Sequence, residues 1–144
     1  RLGAITVTKE EHKSKSLACF GEKFGLVYQI KDDLLDITGN IEGLGKPAGF
    51  DLKKNMLTLP LIYLFDHLSA SESKKIRWKL KNHVRKAELK EINLLIRQYG
   101  GIDFAEKQIA RLSAEAKDEL DSFPDSIYKD SLLTALEFNF QRKR

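Results

Sequence analysis

The chain contains one cysteine, Cys19, so no intrachain disulfide can staple it, and that usage suits a reducing cytoplasm. No run of about 18 apolar residues occurs, which excludes a membrane-spanning helix. The three histidines, His12, His67 and His83, stand far apart and lack the spacing of a zinc site. Basic residues slightly outnumber acidic ones, for a net charge of +4, but the two signs are interleaved. The only mildly basic stretch runs from Lys74 to Lys90, with a short tail at Arg142-Lys143-Arg144. No aromatic-studded basic stripe marks a nucleic-acid partner. No strand alternation, internal repeat or low-complexity linker is visible. No signal peptide is visible either, and the chain begins at Arg1 within a helical pattern and without Met. A piece of a longer protein is therefore expected.

What is present is helical periodicity. Of the 144 residues, 42% are hydrophobic and 32% charged, enough for a core surrounded by solvated helix faces. Thr8 and Glu11 read as a capping box that opens a helix near Lys9 and carries it to about Asp36. Leu17, Phe20, Phe24, Val27 and Leu34 form its apolar stripe. A second stripe is small and then polar: Ala18, Gly21, Gly25, Gln29, Asp32 and Asp36. From Thr38 to Asn55 the pattern breaks into a glycine-rich loop. Periodicity resumes from Leu57 to about Leu68, with Pro60 tolerable in a first turn. Ser69 and Glu72 give a second capping box, opening a helix to about Lys81 or His83. The next helix covers Arg85 to Tyr99, with Leu89, Ile92, Leu95 and Ile96 as its buried face, and Gly100-Gly101 closes it. A longer one runs from Asp103 to Leu120. After the break at Phe123-Pro124-Asp125-Ser126, where Asp125 or Ser126 serves as N-cap, a last helix carries Leu132, Leu133, Leu136 and Phe140. The expected fold class is an all-α helical bundle.

The chemistry concentrates at the end of the first helix. At about 100° per residue, Asp36 lies about 40° from Asp32, Gln29 about 60° and Asp33 about 100°, so all four face one sector. Acids in a last turn oppose the helix macrodipole, each by about 0.3–1 kcal/mol, and repel one another. Their neighbours are apolar or small (Leu26, Val27, Ile30, Leu34, Leu35), unlike a solvated acidic face. A divalent cation reverses each unfavourable contribution, and carboxylates sharing a metal with water and phosphate oxygens are the ligand set of Mg²⁺. The run Gly43 to Asp51 follows closely. It is not a P-loop, since Asn40 stands where the leading Gly would fall and Pro47 where Ser or Thr is required. Its glycines still let backbone amides approach an anion, Lys46 supplies a positive charge for phosphate, and Asp51 can orient that lysine or reach a metal through water.

Three strings, Phe24 to Asp36, Gly45 to Leu52 and Thr58-Leu59-Pro60-Leu61-Ile62, resemble in order and spacing the trans-isoprenyl diphosphate synthases, the polyprenyl synthetase family. The likeness extends over the whole chain, through Gly100-Gly101-Ile102 and the break at Pro124 to Arg142. It implies that residues 1–144 are the C-terminal portion of one isoprenoid synthase domain, of an octaprenyl-type or other all-trans polyprenyl diphosphate synthase. It implies a Mg²⁺-dependent prenyltransferase that elongates an allylic diphosphate with isopentenyl diphosphate, and a homodimer without nucleic acid or integral membrane segment. Asp32, Asp33 and Asp36 would be the second metal-binding motif, Asp32 and Asp33 with Gln29 the catalytic residues, and Lys46 and Arg142 the substrate-binding ones. In place of the family's second phosphate-binding lysine this chain has Met56, and Tyr28 replaces a commoner Phe. The first aspartate motif and the Lys-Thr pair of the family's middle helix are not in the sequence, so residues 1–144 by themselves are expected to be inactive. A related class I terpene synthase and a non-catalytic helical subunit are the competing readings. The loop from Gly45 to Asp51 and the segment Thr58-Leu59-Pro60-Leu61 speak against the first, and Met56 is the one residue that favours the second.

Overall fold

The computed structural model describes residues 3, 10–39, 49–82 and 84–142. Among them every regular element is helical: α1 (Glu11–Thr38), α2 (Phe50–Lys53), α3 (Leu59–His67), α4 (Ala70–Lys81), α5 (Lys86–Gln98), α6 (Gly101–Asp118) and α7 (Ile127–Gln141). The expected all-α class holds. Thr8, whose capping box opened the first helix on paper, lies outside the described residues.

The chain divides into two compact units, Arg1–Lys31 with Gln108–Lys143, and Asp32–Lys107. α1 and α6 each run through both. In the first unit Phe20, Ala116, Leu120 and Leu136 are buried, with Leu17, Phe24, Phe123 and Leu133 packed around them. Lys23 donates to Glu119 at 2.6 Å beside this core, and that bond holds the lysine's pKa above its ordinary value. Ser126 caps α7 by accepting from the Lys129 amide. Asp125, the other candidate cap, instead pairs with the Lys129 ammonium. Leu132 and Phe140, expected on the apolar stripe of α7, are exposed, while Asn139 is buried.

In the second unit α3 packs against α5. Leu61 and Leu64 of α3 meet Ile92 and Ile96 of α5, Ile76 and Leu80 of α4, and Ile37 at the end of α1. Ile92 and Ile96 are buried as the spacing foretold, whereas Leu89 and Leu95 are only partly covered. The Ser69–Glu72 capping box is complete, each residue's side chain accepting from the other's amide. Gly100 adopts φ +81°, the left-handed conformation that ends α5. Its neighbour does not prolong the break: α6 begins at Gly101, two residues earlier than the periodicity of its side chains suggested.

The glycine-rich stretch holds one element that the pattern did not show. Phe50–Lys53 forms a single helical turn, and its Leu52 joins the core of the second unit fully buried. Of the described residues, no helix is long and apolar enough to cross a membrane.

Candidate active site

Two buried apolar residues set the rotation of the acidic end of α1. Leu34 and Ile37 are 4% and 3% exposed, and Ile37 belongs to the core of the second unit. Asp33 precedes Ile37 by four residues, so it shares that face. It is accordingly the buried member of the trio at 9% exposure, although the helical wheel placed it at the edge of the acidic sector. Asp32 and Asp36 remain half-buried. Thr38 donates its hydroxyl to the Leu34 carbonyl at 2.7 Å, and the Gly39 amide donates to Leu35 at 2.8 Å, satisfying carbonyls of the last turn. Asp32 and Asp33 each engage at least one neighbouring group.

Asp36 faces the next element. The Phe50 amide donates to its Oδ1 at 3.1 Å and the Asp51 amide to its Oδ2 at 3.0 Å. The Gly49 amide donates to the Asp36 carbonyl at 3.0 Å. Gly49 takes φ +82°, a conformation a β-carbon would strain, and this turns the chain so that successive amides point at one carboxylate. On the sequence alone an acid in the last turn of α1 has no stabilising role. For Asp36 the structure supplies one.

Asp51 is thereby brought to the cluster. Burial first, and then the charges of Asp36, Asp33 and Asp32, push its carboxyl above the usual range, with Lys54 opposing them. Four carboxylates therefore share one electrostatic field. Among the described residues no three His, Cys, Asp or Glu side chains already form a cage for a metal ion. The donor set is nonetheless all carboxylate oxygen, the chemistry of a hard divalent cation that completes its shell with water and phosphate. The mutual repulsion registered at Asp51 is of the sign a cation would relieve.

Lys46 and the rest of residues 40–48 lie outside the described residues. Met56 is exposed, as are Lys53 and Lys54, and the Lys54 ammonium sits 4.3 Å from the centre of the Phe50 ring. In the first unit Gln29 is exposed, and the Arg142 guanidinium rests 4.5 Å from the centre of the Tyr28 ring. Tyr28, which on sequence looked like a harmless replacement, is thus the seat of Arg142, an attraction worth about 0.5–2 kcal/mol in general. An aromatic one residue before Gln29 was the available signal, but only the fold brings residues 28 and 142 together.

Residues 1–96 match the family model described as polyprenyl synthetase. The chain is similar to the octaprenyl diphosphate synthase of Haemophilus influenzae, 27% identical over 96% of this chain and 42% of that protein. It is also similar to solanesyl diphosphate synthase 2, chloroplastic, of Arabidopsis thaliana, 32% identical over 97% of this chain and 33% of that protein. The chain thus spans well under half the length of either relative. In three dimensions it resembles a polyprenyl synthase from Caulobacter crescentus crystallised with calcium and isoprenyl diphosphate. The TM-score is 0.82 at 28% identity, over 99% of this chain and 44% of that one.

Proposed function

Since the chain belongs to the polyprenyl synthetase family, we propose that it serves as the C-terminal portion of an all-trans polyprenyl diphosphate synthase. The observation that carries this reading is the pair of backbone bonds that draws the turn at Asp51 onto Asp36, beside Asp32 and Asp33 at the end of α1. Such a concentration of carboxylates has a use where a divalent cation and a diphosphate meet. The reaction is elongation of an allylic diphosphate by isopentenyl diphosphate. The allylic C–O bond breaks and the diphosphate leaves with the electron pair. The double bond of isopentenyl diphosphate attacks the cation left behind, and loss of a proton gives a linear product one C5 unit longer.

Mg²⁺ is the expected ion, with Asp32 and Asp33 meeting it and Asp36 completing the motif. When bound, it supplies positive charge against the departing diphosphate. The protein's own groups bind and orient. Lys46 is assigned to the allylic diphosphate, Arg142 to the substrate end of the tail, and Gln29 to the position before the aspartates. The calcium and isoprenyl diphosphate of the Caulobacter crescentus protein support a divalent ion and a prenyl diphosphate here. A cytoplasmic homodimer completes the proposal.

The test is condensation of an allylic diphosphate with labelled isopentenyl diphosphate by the whole synthase in Mg²⁺, with products separated by chain length. Asp32→Ala should lower the rate by about a thousandfold or more. Residues 1–144 alone, with one aspartate-rich motif, should give no condensation. An unaffected rate in Asp32→Ala would point to a non-catalytic subunit, and cyclic hydrocarbon products to a terpene synthase.

A further inference from the structure

Asp36 is bound differently from a carboxylate held open for a cation. Both of its oxygens accept backbone N–H groups, from Phe50 at 3.1 Å and Asp51 at 3.0 Å, while its own carbonyl accepts from Gly49 at 3.0 Å. These amides belong to the first turn of α2, whose N-cap, Gly49, has no side chain to satisfy them. The capping carboxylate therefore comes from another helix, 14 and 15 residues earlier in the chain. Bonds from N–H groups to an ionised carboxylate are among the stronger ones in proteins. Leu52, fully buried one residue further on, keeps the turn from swinging away.

We propose that Asp36 is a positioning residue: it clasps the turn at Phe50 and Asp51, and so fixes where α2, with Asp51, meets the acidic end of α1. This deepens the reading of the site as a diphosphate-binding one and rests on it. Within the aspartate motif the work is then divided. Asp32 and Asp33 answer to the cation. Asp36 answers to the backbone, and its removal is felt through Asp51, whose amide it holds.

The experiment compares Asp36→Ala, Asp36→Asn and Asp32→Ala in the whole synthase. In metal-free protein, amide hydrogen exchange at Phe50 and Asp51 should quicken about tenfold or more in Asp36→Ala, less in Asp36→Asn, which keeps one acceptor oxygen, and not at all in Asp32→Ala. Exchange at Ile92 and Ile96 serves as the control for intact folding. With substrates, Asp36→Ala should raise the KM for the allylic diphosphate about tenfold and raise the Mg²⁺ concentration for half-maximal rate by less than Asp32→Ala does, with Asp36→Asn recovering part of the loss. Unchanged exchange at Phe50 and Asp51 would overturn the proposal. So would a Mg²⁺ requirement raised as much as in Asp32→Ala. Should Asp36→Ala lose its core protection as well, the graded comparison is made on Asp36→Asn alone. If the synthase shows no prenyl transfer, the metal-free exchange still decides the clasp, separately from the reaction.

Discussion

A β-carbon on Gly101 would lie 2.8 Å from the backbone carbonyl oxygen of Pro60. The same β-carbon would meet the Ile96 Cγ2 at 3.1 Å and the Ile96 carbonyl at 3.2 Å. The start of α6 is therefore seated directly against the first turn of α3 and the end of α5, with no room for a side chain. Gly101→Ala should destabilise the protein by about 1–3 kcal/mol, because two of the three obstacles are backbone. Gly100→Ala meets open space and strains only its left-handed φ, so its cost should be smaller, about 1 kcal/mol. Urea unfolding of the two variants checks both the values and their order.

The single turn of α2 should matter beyond its length. Leu52 is fully buried among Ile37, Leu61 and their neighbours. Leu52→Ala should cost about 2–5 kcal/mol, the usual range for emptying a core site. Thermal unfolding that left the variant within 1 kcal/mol of the parent, a bound set by the same range, would show α2 to be only loosely attached.

The capping box of α4 gives a pH dependence. The Ser69 hydroxyl, and then the Ser69 amide, hold the Glu72 carboxyl below its ordinary value of 4.5. A carboxyl lowered in the folded state stabilises it above the unfolded value and loses that contribution as pH falls through the folded one. The Glu72 share of stability should therefore be intact at pH 7 and fade below pH 4.5. Glu72→Gln should flatten that part of the stability profile, measured by denaturation from pH 3 to 7 in steps of about one unit. Ser69→Ala should cost about 1 kcal/mol.

Thr58 is 2% exposed and its hydroxyl has no hydrogen-bond partner among the described residues. A buried, unsatisfied hydroxyl carries a desolvation penalty of about 1–3 kcal/mol. Thr58→Val, which keeps the shape and removes the polar atom, should leave stability unchanged or raise it. A clear loss in calorimetry would reveal a partner for the hydroxyl.

The length of α1, its apolar stripe, the Ser69–Glu72 box and the Gly100 stop were all readable from local order. Each depends on residues within one or two turns of one another, where propensity, capping and periodicity act without knowledge of the rest of the chain. The acidic cluster was readable for the same reason, since Asp32, Asp33 and Asp36 lie on adjacent turns. The family strings add what periodicity cannot, a chemistry for those acids.

The helix α2, the burial of Asp33, the clasp of Asp36 on residues 50 and 51, and the seat of Arg142 on Tyr28 belong to the tertiary structure alone. A four-residue turn is too short to announce itself, because isolated helical turns pay nucleation with almost no hydrogen bonds in return. It forms here because a carboxylate from α1 satisfies its amides and the core receives Leu52. The sequence by itself determined a helical chain with its acids gathered at one helix end. The fold decided that Asp36 turns to the backbone of residues 50 and 51, because that choice depends on partners 14 and 15 residues away.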